Sequence, residues 1–186
     1  MRLRGLLAPL LLALVATLAL PMFAVSAPGR MAPAQISLDS GVLDQLNAIR
    51  LGHGLVPLTA NPLLAAAAVQ HAQEMAADGY FAHNSVDGTA FWKRIDRWYS
   101  SARYGYWSVG ENLLWSSPDV DAAGALRLWM QSPEHRANIL APRWREIGIA
   151  SVHVAAATGV YGSRPVTIVA TDFGVRNAEY PSGARP

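Results

Sequence analysis

The period of the hydrophobic pattern changes once along this chain, and that change limits the fold more than any other feature. Between Ser40 and Leu140 apolar residues return every three or four positions, whereas between Ile147 and Phe173 they alternate. The first spacing builds one-sided helices and the second builds half-buried strands. Helices first and strands last indicate an α+β fold rather than a doubly wound parallel sheet. The two alternating runs are rich in β-branched residues and are joined by the Gly-containing segment Thr158 to Ser163. So short a connection favours antiparallel pairing.

Four helices are expected before the strands. The first runs from Ser40 to Leu51 on the stripe Val42, Leu43, Leu46 and Ile49, with Gly52 as its stop. The second begins at Asn61 as N-cap with Pro62 at the first helical position, and ends before Gly79. Its apolar face is Leu64, Ala67, Ala68, His71 and Met75, which makes His71 a core histidine. Thr89 is expected to cap a third helix on Phe91, Ile95 and Trp98, and Asp119 a fourth on Ala122, Ala125, Leu126 and Trp129. Pro133 opens a short further turn through Leu140. Trp107, Trp115, Trp129, Trp144, Tyr104 and Tyr106 read mainly as core, with a ligand groove as the alternative.

The N-terminus has a different character. Arg2 and Arg4 precede an apolar run from Leu6 to Val25, and small residues follow. This is the layout of a secretory signal, with cleavage expected after Ser26. The run is also long enough to span a bilayer, so an uncleaved anchor is the rival reading. Arg2 and Arg4 are the only charged residues among the first 26, so they account for the whole net charge of +2. The remainder is formally neutral, and its arginines are scattered, which argues against a nucleic-acid partner. The chain has no cysteine, which excludes a disulfide scaffold and any Cys-ligated zinc.

His83, Glu111 and His135 stand out because each is expected in a loop beside Gly, Asn or Ser. Two imidazoles and a carboxylate from separate segments suit a divalent-metal site or a general acid/base pair. Ser85 could be called a nucleophile, but no Gly-x-Ser-x-Gly elbow accompanies it. Asn112 and Asn138 read as loop braces.

Three ordered blocks carry a resemblance. They are Phe81-Ala82-His83-Asn84-Ser85, Val109-Gly110-Glu111-Asn112-Leu113, and the run from Trp129 to Leu140, WMQSPEHRANIL. Together they resemble the signature blocks of the CAP superfamily: cysteine-rich secretory proteins, antigen 5 and pathogenesis-related 1 proteins. The Cys-free third block is similar to the bacterial branch. The resemblance implies an α-β-α sandwich, a small antiparallel sheet between helical layers, over residues 38–176. Residues 1–26 would then be the leader, 27–37 a tether and 177–186 a tail. It also implies a cleft where His83, Glu111 and His135 meet. Many family members carry a second Glu three residues after the helix Trp, where this chain has Ser132. Ser132, Glu134 and Asn112 are therefore expected to support a three-member site that favours exchangeable zinc or another divalent ion.

The expected function is an extracytoplasmic binding module, secreted or envelope-associated, for an unknown envelope component or lipophilic small molecule. The alternative is a metal-dependent hydrolase acting on peptide or cell-wall polymer through Glu111, His83 and His135. No His-Glu-x-x-His helix supports that alternative. A membrane contact is expected only through the N-terminal segment, if it stays uncleaved.

Overall fold

A computed structural model describes residues 33–177, with side chains described from Leu38 onward. The leader reading and most of the expected tail lie outside the described residues. The elements in chain order are α1 (Pro33–Gly52), β1 (Thr59–Ala60), α2 (Pro62–Asp78), α3 (Phe91–Trp98), β2 (Trp107–Ser116), α4 (Ala122–Gln131), α5 (Pro133–Ile139), β3 (Glu146–Ala157) and β4 (Arg164–Arg176). A single 3-10 turn, Gly159–Tyr161, joins the last two strands. No helix among the described residues is long and apolar enough to cross a membrane.

The sheet has the order β1-β3-β4-β2. β3 and β4 pair antiparallel, as the short connection requires, and β2 adds antiparallel to the other side of β4. β1 adds only two residues, parallel to β3. Alternation along β4 sends Val169 and Phe173 to one face, where they pack with Val42 and Leu46 of α1 and Ala125, Leu126 and Trp129 of α4. It sends Val166, Ile168 and Ala170 to the other, against Ala68, Ala72 and Met75 of α2. Helices thus cover both faces, which gives the expected α-β-α layering. Gly148 in β3 is where the second layer comes closest. A Cβ there would lie 2.0 Å from the backbone carbon of Leu64, so only glycine lets α2 settle onto the sheet.

Several boundaries differ from the sequence reading. α1 begins at Pro33, seven residues before Ser40. α3 has Ala90, not Thr89, at its N-cap, with no side-chain cap. Thr89 instead donates its backbone N–H to Asp87 in the preceding turn. Asp121 rather than Asp119 caps α4, accepting from the Gly124 N–H at 2.7 Å. Val120 packs against the core, which sets Asp121 directly before the first turn. Glu111 lies within β2 and His135 on α5, so only His83 occupies a loop. Trp129 and Trp144 are fully buried, while Tyr106 is exposed.

Candidate functional site

The loop carrying His83 starts where α2 stops. Gly79 takes the left-handed conformation that ends the helix. Three carbonyls of the loop are then pinned from below. Tyr161 donates its hydroxyl to Tyr80 O at 2.7 Å. His71 bonds through Nε2 to Ala82 O at 2.8 Å, and Arg94 donates through Nη1 to His83 O at 2.9 Å. His71 is fully buried, in agreement with its place on the α2 stripe. Burial pushes its pKa down, against the pull of Glu111.

Arg94 also donates through Nη2 to Glu111 Oε2. The other oxygen, Oε1, meets His83 Nδ1 at 2.7 Å. The result is a chain of three groups, guanidinium to carboxylate to imidazole, running from the core to the surface. Both Arg94 and the Glu111 side chain are buried, whereas the His83 side chain is 53% exposed. A carboxylate behind one ring nitrogen favours the proton there and leaves the lone pair of the other, Nε2, facing outward. Asp172 stands directly opposite Glu111 in the β2–β4 ladder and is fully buried, with neither oxygen hydrogen-bonded. Burial first, and the neighbouring Glu111 charge second, hold its carboxyl well above the usual range.

His135 approaches from the other side on α5. That short helix is stapled to β2 by amides. Asn112 donates to His135 O at 3.1 Å, and Asn138 donates to Glu111 O at 3.2 Å and to Asn112 Oδ1 at 3.0 Å. Trp144 donates through Nε1 to both Asn138 oxygens. Gly110 makes room for this staple: a Cβ there would stand 2.8 Å from Asn138 Oδ1 and from the Trp144 ring. The His135 pKa is lowered, by burial first and the nearby His83 second. The His135 ring is therefore available as a neutral, lone-pair donor at neutral pH.

The structure brings His83, Glu111, Asn112, Glu134 and His135 to one open cleft of about 340 Å3, together with Ala137, Asn138 and Arg143. Ser132 is not on its walls; its hydroxyl donates to Glu134 Oε2 at 3.3 Å. Ser85 faces Glu74. Asn112 acts on the backbone of His135, not on its ring. Among the described residues, no group of three or more His, Asp or Glu is placed to enclose a metal ion. Glu111 has both oxygens engaged, so it orients His83 rather than standing open to a cation.

Arg94 and Arg143 were not read from the sequence as site residues. Arg94 falls on the stripe Phe91, Arg94, Ile95, Trp98, whose spacing already marks it as facing inward. Arg143 carries no such signal.

Known proteins align with this arrangement. The family model of CAP, the cysteine-rich secretory protein family, matches residues 43–166. YkwD of Bacillus subtilis (strain 168) is 31% identical over 123 residues, 65% of this chain and 45% of that protein. The membrane protein YlbC of the same organism is 27% identical over 115 residues, 62% of this chain and 32% of that protein. A crystal structure of an extracellular protein containing an SCP domain from Bacillus anthracis str. Ames superposes with a TM-score of 0.58 at 24% identity, covering 78% of this chain and 44% of that one. The chain thus spans less than half the length of each of these proteins. Since the family match takes in all three sequence blocks and the fold agrees, the chain belongs to the CAP family of cysteine-rich secretory proteins, although it has no cysteine of its own.

Proposed function

We propose that this chain is an extracytoplasmic binding module whose cleft takes its ligand through His83 and His135. The observation that carries this reading is the buried Arg94–Glu111–His83 chain opening beside a second imidazole, that of His135. Such a chain fixes the orientation of His83 without exposing the carboxylate. It is the arrangement that commonly stands behind a metal-ligating histidine. His83 Nε2 and His135 would hold an exchangeable divalent ion such as zinc, with Glu111 behind His83. Bound there, the ion would supply a Lewis-acid contact for a ligand oxygen. The extracytoplasmic setting is supported by the N-terminal signal pattern and by relatives described as an extracellular protein and a membrane protein. An apolar hollow of about 400 Å3 beside α1, lined by Leu43, Ala65, Ile147 and Ile149, supports a lipophilic small molecule as a partner beside an envelope component.

Calorimetric titration with zinc tests the cleft. Wild type is expected to take up zinc saturably, and the double variant His83→Ala, His135→Ala to lose it. Glu111→Gln is expected to weaken uptake about 10–100-fold, the usual effect of losing a carboxylate behind a ligating histidine. Undiminished uptake by the double variant would remove the site. The carboxylate–imidazole pair also favours a second reading, a hydrolase in which His83 acts as general base. Turnover of peptides or wall fragments by wild type, abolished in the double variant, would select that reading instead.

A further inference from the structure

Arg143 lines the His83–His135 cleft, and its role there is unassigned by anything above. Its guanidinium carbon lies 4.0 Å over the ring of Trp144. That indole is itself fixed: it is fully buried, stacked on Phe173, and bonded through Nε1 to Asn138. Arg143 is therefore a planar cation laid on a rigid platform, which is the form in which arginine recognises oxyanions best.

Its donors are also unspent. Arg94 is consumed by Glu111 and by His83 O, and Arg145 by the carbonyls of Pro142 and Trp144. Among the described residues, no carboxylate forms a salt bridge with Arg143, and it makes no hydrogen bond to protein. The acids nearby do not compete strongly. Glu111 is already paired with Arg94, and Glu134, on the cleft rim, accepts from Ser132. A ligand oxyanion entering the cleft would meet in Arg143 a guanidinium with its donors free.

We infer that the cleft is an oxyanion site, in which Arg143 anchors a carboxylate or phosphate group of the ligand while His83 and His135 contact the rest. This rests on the cleft reading proposed above and narrows its ligand to an acidic one. The shared chemistry is a charged oxygen pair that a guanidinium can grip with two parallel N–H bonds. Phosphate-bearing and carboxylate-bearing envelope components both present it.

The test is titration of the full chain, stripped of metal with chelator, against inorganic phosphate and separately against acetate. Chloride keeps the ionic strength constant. Backbone amide shifts in an NMR spectrum report where each ion binds. Wild type is expected to saturate in the millimolar range with at least one of the two ions, with shifts centred on residues 134–145. Arg143→Ala is expected to raise that Kd at least tenfold, and Arg143→Lys to fall between. Arg143 is exposed, so the alanine variant should fold, and its far-UV spectrum and melting temperature check this. The ion that binds more tightly identifies the source, phosphate or carboxylate. Equal affinity in wild type and Arg143→Ala would overturn the inference, as would the lack of saturation with either ion. If zinc uptake through His83 and His135 persists in that case, the cleft reading survives. If neither zinc nor anion binds, both fall.

Discussion

Asp39 and Asp172 are carboxyls that the fold buries without full hydrogen bonding. Burial pushes Asp39 up to about 6, against the pull of Ser151. A raised carboxyl pKa means the folded state holds its proton to higher pH than the unfolded chain does. Stability is then greatest below the ordinary Asp range, near 4, and falls as pH rises from there to about 6. Urea midpoints measured between pH 4 and pH 6 should decline, and Asp39→Asn should flatten that decline. An unchanged slope in the variant would show the carboxyl to be solvated. Arg94 presents the opposite case, a buried cation on which carboxylates depend. Arg94→Met should cost roughly 3–5 kcal/mol, because it leaves Glu111 without its counter-charge and His83 O without its donor. Glu111→Gln should cost less, since Asp172 lies across the strand pair and can give up its proton to replace the lost charge. Comparable losses from the two variants in chemical denaturation would contradict that compensation. His83, Glu111 and His135 were legible from their sequence neighbours. Asp172 was not, because it continues the stripe Val166, Ile168, Ala170, where alternation says only that a side chain faces inward.

Single elements are positioned by a few polar side chains at their ends. Arg50, fully buried in α1, donates through Nη1 to Ile139 O at 2.6 Å and Ala141 O at 3.0 Å, and so receives the end of α5. Its Nε donates to Val56 O in the link after α1. One side chain thus couples the first helix to the helix that carries His135. Asn61 does similar work for α2, accepting from the N–H groups of Leu63 and Leu64 while donating to Glu146 at the start of β3. That cap was legible because Pro62 follows it. β2 was not, and the reason is physical. Its central residues, Gly110 to Leu113, are buried in succession, with α4 and α5 on one side and α3 on the other. A strand covered on both faces loses the alternation by which strands are recognised. The tightest junction between elements is Gly148 against Leu64. Gly148→Ala should destabilise by about 3 kcal/mol or more, since the clash is with backbone that cannot rotate away. A melting temperature within a degree or two of wild type would mean that α2 lifts off the sheet freely.

For the molecule as a whole, the sheet carries apolar clusters on both faces and no covalent cross-link among the described residues. The layered arrangement was legible from the change of period, and the family from three short blocks. Arg143 on the cleft wall was not, because it lies in the turn between α5 and β3, where no periodic pattern marks which side chain faces the site. β4 makes both long ladders of the sheet, with β3 and with β2, so it is the strand on which the sheet depends most. A chain ending before Arg164 should therefore show no cooperative unfolding transition in circular dichroism. A sigmoidal melt from such a fragment would show that the helical layers cohere without the sheet.

That position of β4 also bears on how the protein is made. This inner strand of the sheet is the last described element to leave the ribosome, and its edge partner β2 emerges some 60 residues earlier, with Asn112 paired to Thr171. Pairing over such a separation must wait for the late strand, and contacts of this kind form slowly. Until then α1, α2 and α4 lack the β4 side chains that complete the apolar clusters on the two faces of the sheet. A nascent chain held open in this way commits to its final shape only once its last strand has been made, so synthesis itself sets the order in which the fold can close.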